Sequence, residues 1–146
     1  MTPEVFKQEI AFGLENLERV KDDIVRFHAS RAETSLRSSA LAYACIGYFN
    51  ALEHLMLRSL KFWNAVLPSG PSSHQMALNE FRNLLEKLNL PFPLLEAFKR
   101  LLGFRHIATK IYGFLIDLEK LDEVVASVND THESFVALFH EITQKA

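Results

Sequence analysis

Arg105, His106, Lys110 and Tyr112 fall within eight residues, in the stretch GFRHIATKIYGFLID that begins at Gly103. Each offers different chemistry. Arginine presents a planar fork of donors that matches a phosphate, and lysine a point charge. Histidine carries a proton near neutral pH, and tyrosine supplies a stacking ring with a hydroxyl. The set suits metal-independent cleavage of RNA, in which a base activates the 2′-hydroxyl, a cation steadies the crowded phosphate and an acid protonates the leaving oxygen. A basic stripe on an amphipathic helix more commonly serves as a solvated face, so the residue types alone do not separate the two readings.

On an ideal helix turning 100° per residue, with Arg105 at zero, Tyr112 lies about 20° and Thr109 about 40° away. These three are predicted to share one face. His106 and Lys110, at about 100° and 140°, form the adjoining stripe, while Ile107 and Ile111 face the other side with Phe104 and Phe114 flanking them. Arg100 and His106 also have a suggestive spacing, but six residues turn their side chains about 120° apart. FRNLLEKL, from Phe81, begins like the same cluster yet has no His or Tyr at the right distance.

Other residues compete less well. The six histidines come without HExxH, paired cysteines or dense carboxylate spacing, so a metal site is not expected, although His132 and His140 share a helix flank and His54 adjoins Glu53. Cys45 lies in the most apolar part of the chain and has no spaced histidine partner, which reads as a buried thiol rather than a nucleophile. Tyr48, Phe62 and Trp63 recur at helical spacing and are assigned to packing. There is no glycine-rich phosphate loop, and no cofactor is expected.

The elements that must carry the cluster are helical nearly throughout. Thr2-Pro3-Glu4 is a helix start, with a capping hydroxyl, proline in the first turn and an acid at the positive dipole end. Ile10, Leu14, Leu17, Ile24 and Phe27 continue one apolar stripe, predicting a first helix over roughly 3–28. A second, over roughly 32–66, is apolar around most of its circumference, from Leu41 and Tyr43 to Leu60 and Trp63, so it is expected to be central or covered by a partner chain. LPSGPSS breaks it. A third helix is predicted over about 73–88 and ends at NLPFP. A fourth starts near Pro93 and carries the cluster. A fifth follows from DLEKL, with an interruption expected near Asn129 to Thr131. The fold class is therefore all-α: an up-and-down bundle of about five helices, four forming the core, in one domain over 1–146.

Bulk properties narrow the function classes. Sixteen basic against eighteen acidic residues leave a net charge of −2, so any RNA contact must come from a local patch rather than from a basic chain. The single cysteine rules out an internal disulfide framework and suits a reducing compartment. Glu4 and Glu9 interrupt the N-terminus as no secretory leader would, and the longest apolar run, ALAYACIGYF, is half a membrane span. A cytoplasmic protein without a membrane segment is expected.

Three segments in order resemble the HEPN superfamily, in particular its HepT-like toxin branch. FRHIATKIYGFLIDLEKLDEVV, from Phe104, is similar to the family segment Phe-Arg-His-x-x-Arg-His-x-Tyr with its apolar tail ending in Leu-Asp. YFNALEHL, from Tyr48, resembles the second-helix Tyr-x-x-Glu region, and LPSGPSSH, from Leu67, resembles a Leu-Pro-x-Gly…Trp-His loop. The resemblance runs from about residue 35 to the C-terminus. It implies a HEPN-like bundle that forms a symmetric homodimer, with the motif helices meeting at an interface cleft. The activity it implies is that of a metal-independent endoribonuclease toxin. Its partner would be a minimal nucleotidyltransferase antitoxin able to AMPylate the motif tyrosine.

Carried onto this sequence, the resemblance assigns Arg105 to the phosphate and the transition state, and Tyr112 to modification or substrate contact. Asn50, Glu53 and Thr109 become supporting polar residues. Two departures stand out: Lys110 occupies the position of the family's catalytic histidine, and Ser73 that of the loop tryptophan. A lysine ammonium is a poor base at neutral pH. His106, one turn earlier and on nearly the same face, is therefore expected to share the catalytic work with Arg105, Lys110 and Tyr112. The alternative is a HEPN domain that engages RNA or a nucleotidyltransferase without cleaving.

Overall fold

A computed structural model describes residues 1–110 and 115–146, which form five helices with no strand among them. They are α1 (Pro3–His28), α2 (Thr34–Phe62), α3 (Ser73–Lys87), α4 (Leu95–Ala108) and α5 (Leu118–Gln144). None is long and apolar enough to cross a membrane.

Local chemistry sets the ends. The Thr2 hydroxyl accepts from Val5 N, capping α1 as expected. At α2 the cap is a carboxylate: Glu33 accepts from Ser35 Oγ and from the Ser35 and Leu36 backbone amides, and these bonds hold its pKa below the ordinary value. That cap moves the start to Thr34. At the other end α2 stops before its prolines, because Asn64 turns left-handed at φ 56° and lets Ala65 N reach back to Leu60 O at 2.9 Å. Asn89, at φ 58°, closes α3 in the same way, with Leu90 N bonded to Leu85 O. α5 runs unbroken through Asn129 to Thr131, whose Thr131 hydroxyl bonds back to Ser127 O inside the helix; no proline or glycine is there to stop it.

α2 packs against each of the other four helices. It therefore buries Leu41, Cys45, Tyr48, Phe49, Leu52, Leu55, Met56 and Leu60 on several sides. The expected girdle is not complete: Tyr43 is 79% and Leu36 64% exposed, leaving one apolar edge of α2 in solvent. α1 lies antiparallel to it, as successive contacts show. Phe6 stacks on Phe62 at 4.4 Å, Gly13 meets Leu55, Val20 meets Gly47, and the Arg37 guanidinium bonds His28 O across the connecting turn. α1 is also antiparallel to α5, with Glu18 against His132 and His28 bonded to Asp122 at 3.1 Å. α2 and α5 consequently run parallel. The four-helix core is α1, α2, α4 and α5, with α3 packed on α2 and stacking Phe81 against Phe139 at 5.9 Å.

One polar tie centred on a buried histidine fastens three of these helices. The His132 ring is 1% exposed and takes Tyr48 Oη on Nδ1 at 2.9 Å and Glu18 on Nε2. A carboxylate on Nε2 requires the proton there, so Nδ1 accepts from the phenol. Burial, helped by the charges of Glu18 and Glu133, raises the Tyr48 pKa and keeps that phenol a donor.

Two glycines inside helices should respond oppositely to substitution. A Cβ at Gly13 would stand 2.6 Å from Cδ2 and 3.2 Å from Cγ of the fully buried Leu55. Gly13→Val should cost about 2 kcal/mol by overpacking, seen as a fall of roughly 4–8 °C in Tm. Gly103 has nothing within 4 Å of its would-be Cβ, so Gly103→Ala should raise stability by up to ~1 kcal/mol through helix propensity. Thermal unfolding of the two variants beside wild type checks both signs.

Candidate functional site

The cluster is not one continuous helix face. α4 ends at Ala108, with Thr109 as its C-cap and Lys110 in the following turn. The last turn tightens, with Lys110 N bonded to Ile107 O, while Thr109 Oγ1 bonds back to Arg105 O at 2.9 Å. Thr109 thus stands at the helix end with its hydroxyl donating to backbone carbonyls. The buried stripe of α4 is Ala97, Phe98, Leu101, Phe104 and Ala108. Ile107, expected on the apolar back, is instead 50% exposed. Tyr112, with Ile111 and Phe114, lies outside the described residues.

Arg105 sits at the edge of that stripe, half-buried against α2. Its Nε donates to Asn50 Oδ1 at 3.0 Å, and its guanidinium carbon lies 5.8 Å from the centre of the Phe49 ring. One terminal nitrogen, Nη1, meets His74 Nε2 at 3.3 Å. The other ring nitrogen of His74, Nδ1, is hydrogen-bonded to the Glu53 carboxylate. Since a guanidinium only donates, Nε2 of His74 is the acceptor, and the ring proton must sit on Nδ1, facing Glu53. Asn50 and Glu53, three apart on α2, thus join Arg105 in one group.

His74 is the member that spacing alone leaves out. It lies 31 residues before Arg105 and 21 after Glu53, on the first turn of α3. Gly70, at φ +95°, makes the turn that starts α3, with Ser73 N bonded to Gly70 O at 3.1 Å, and this brings the ring back to α2. The signal available was the LPSGPSSH segment itself, whose last residue is His74.

His106 and Lys110 form a second, more exposed pair beside this group. Lys110 Nζ lies 3.3 Å from His106 Nε2. The ammonium donates to that nitrogen, so the lone pair a base would use is occupied in this arrangement. Asn50 also borders a shallow groove of about 190 Å³ between α1 and α2, lined by Phe12, Asn16, His54 and Arg58 among others. The larger cleft, about 420 Å³, lies between α4 and α5 beside Arg100, Lys120, Glu123 and Asp130, and holds none of the candidate residues.

Two further groups are accounted for by packing. Glu18, His132 and Glu133 bring potential ligand atoms within 4.8 Å of one another, but Tyr48 and Glu18 already engage both His132 ring nitrogens. The trio is built as the structural tie described above. Cys45 is fully buried, and burial pushes its thiol up to about 12. A thiol reagent at pH 8 should therefore leave the native protein unlabelled and modify Cys45 only once the chain is unfolded in denaturant. Rapid labelling of the native protein, measured by mass, would contradict that burial.

Comparison with known proteins adds one match. A family model described as HepT-like protein matches residues 40–146, from the second turn of α2 to the C-terminus. No curated protein and no solved structure matches the chain.

Proposed function

The chain belongs to the HepT-like family of HEPN-type helical proteins, and we propose that it is a metal-independent endoribonuclease whose phosphate-binding group is Arg105. The observation that carries this reading is the way the guanidinium is held. Asn50 fixes Nε and Phe49 backs the plane, so the terminal nitrogens are oriented before any substrate arrives. A preorganised guanidinium is worth more to a phosphorane-like transition state than a flexible one, because it needs no reordering as charge develops. The adjoining groove with His54 and Arg58 offers a path for a flanking nucleotide.

RNA rather than DNA is the substrate on this reading, since cleavage without a metal needs the 2′-hydroxyl as nucleophile. Lys110 and His106 supply cationic and polar contacts beside the scissile phosphate, and Tyr112 is a contact or a site of AMPylation. The protein acts as the toxin of a toxin–antitoxin pair, with a minimal nucleotidyltransferase as antitoxin and a homodimer as the working form. The half-exposed Ile107 next to Arg105, and the open Leu36 and Tyr43 edge of α2, give a second copy apolar surface to cover.

A second reading has one observation in its favour. Lys110 stands where the family has its catalytic histidine, and it occupies the His106 lone pair. On that reading the same face binds RNA or the nucleotidyltransferase and does not cleave.

The test is incubation of tRNA with purified protein in EDTA. Wild type should yield fragments with 2′,3′-cyclic phosphate and 5′-hydroxyl ends, and Arg105→Ala should slow this by about 10²–10³-fold. RNA that stays intact at micromolar wild-type protein overturns the nuclease; retention of that RNA, lost in Arg105→Ala, favours the binding module.

A further inference from the structure

Resting on the reading of Arg105 as the phosphate site, we propose that His74, positioned by Glu53, is the general base, doing the proton transfer that Lys110 cannot do. Of the six histidines in the chain, His74 combines an acidic partner on one ring nitrogen with contact to Arg105 on the other. His132 is sealed in the core by Tyr48 and Glu18, and His106 is turned to Lys110. His28 pairs with Asp122 on the far end of α1.

The geometry is that of a nucleophile-activating dyad without its own nucleophile. Glu53, on α2, fixes the tautomer by accepting from Nδ1–H and stabilises the positive ring that forms when Nε2 takes a proton. The charged groups facing the ring are Glu53 from α2 and Arg105 from α4, with the Phe49 ring edge-on at 6.3 Å. In the free protein Arg105 Nη1 donates to the Nε2 lone pair. A bound phosphate draws that donor onto its own oxygens and releases the lone pair beside the phosphate. The base is thus covered until substrate arrives, while Asn50 keeps the arginine from swinging away.

The step balances within substrate, protein and water. Nε2 of His74 takes the 2′-hydroxyl proton as the 2′-oxygen bonds to phosphorus. The bond from phosphorus to the 5′-oxygen breaks, and that oxygen leaves with its electron pair and takes a proton from water. His74 returns its proton to the resulting hydroxide. The products are a 2′,3′-cyclic phosphate and a 5′-hydroxyl.

The experiment measures kcat, KM and Tm for wild type, His74→Ala, His74→Asn, Glu53→Gln and Arg105→Ala on one RNA in EDTA. His74→Asn keeps a donor for Glu53 and guards against simple misfolding. Both His74 variants should lose about 10²–10⁴-fold in kcat, with KM and Tm little changed. Free imidazole should restore part of the rate to His74→Ala, whose side chain leaves the space for it, and none to Arg105→Ala. Glu53→Gln should fall by roughly tenfold in kcat, because the partner that stabilises the protonated ring has lost its charge. Wild-type kcat in both His74 variants, with Arg105→Ala inactive, overturns the base and leaves the nuclease standing. Wild type that cleaves no RNA overturns both.

Discussion

A helix that touches all of its neighbours has little perimeter left for polar groups, and α2 is such a helix. Its apolar circumference drives the bundle together, since each buried large side chain contributes about 1.5–3 kcal/mol. Some of the polar groups it carries lie in gaps between the helices packed on it, while His54 and Lys61 face solvent. Asn50 and Glu53 occupy one such gap, bordered by α3 and α4. Tyr48 occupies another and needs His132 to satisfy its hydroxyl. The candidate site and the structural tie are therefore the same physical problem met on two sides of one helix. One is closed by the buried pair of Tyr48 and His132, with Glu18 at the surface, and the other is left open to solvent at its edge.

The five helices are legible in the sequence because their apolar periods are long and their starts carry capping chemistry, as at Thr2. The ends are less so. Prolines after α2 and α3 point to breaks, but left-handed Asn64 and Asn89 make them, and asparagine in that conformation carries no periodic signal. α4 shows the same limit from the other side. The apolar pattern continues past Ala108, and only the tightened turn in which Lys110 N bonds to Ile107 O reveals where the helix stops.

The site was readable in part, and for a physical reason. Arg105 stands out by residue type on a regular helix, whereas Asn50 and Glu53 enter only through the family resemblance of YFNALEHL. His74 reaches them through a turn whose geometry rests on one glycine, and no period links it to residues on other helices. The Lys110 position looks like a loss when read along α4 alone. In three dimensions the lysine is past the helix end and paired with His106, while an imidazole from α3 stands against Arg105.

The connection from Asn64 to Ser72 carries a further consequence. The contact between His74 and Glu53 closes a segment of 21 residues, and the entropy of closing such a segment changes only slowly with its length. Insertions there are thermodynamically cheap, yet each would swing the imidazole relative to the arginine. The protein thus keeps its fold and its chemistry on separate controls: the bundle answers to volume and burial, and the site to the length and handedness of one short bridge.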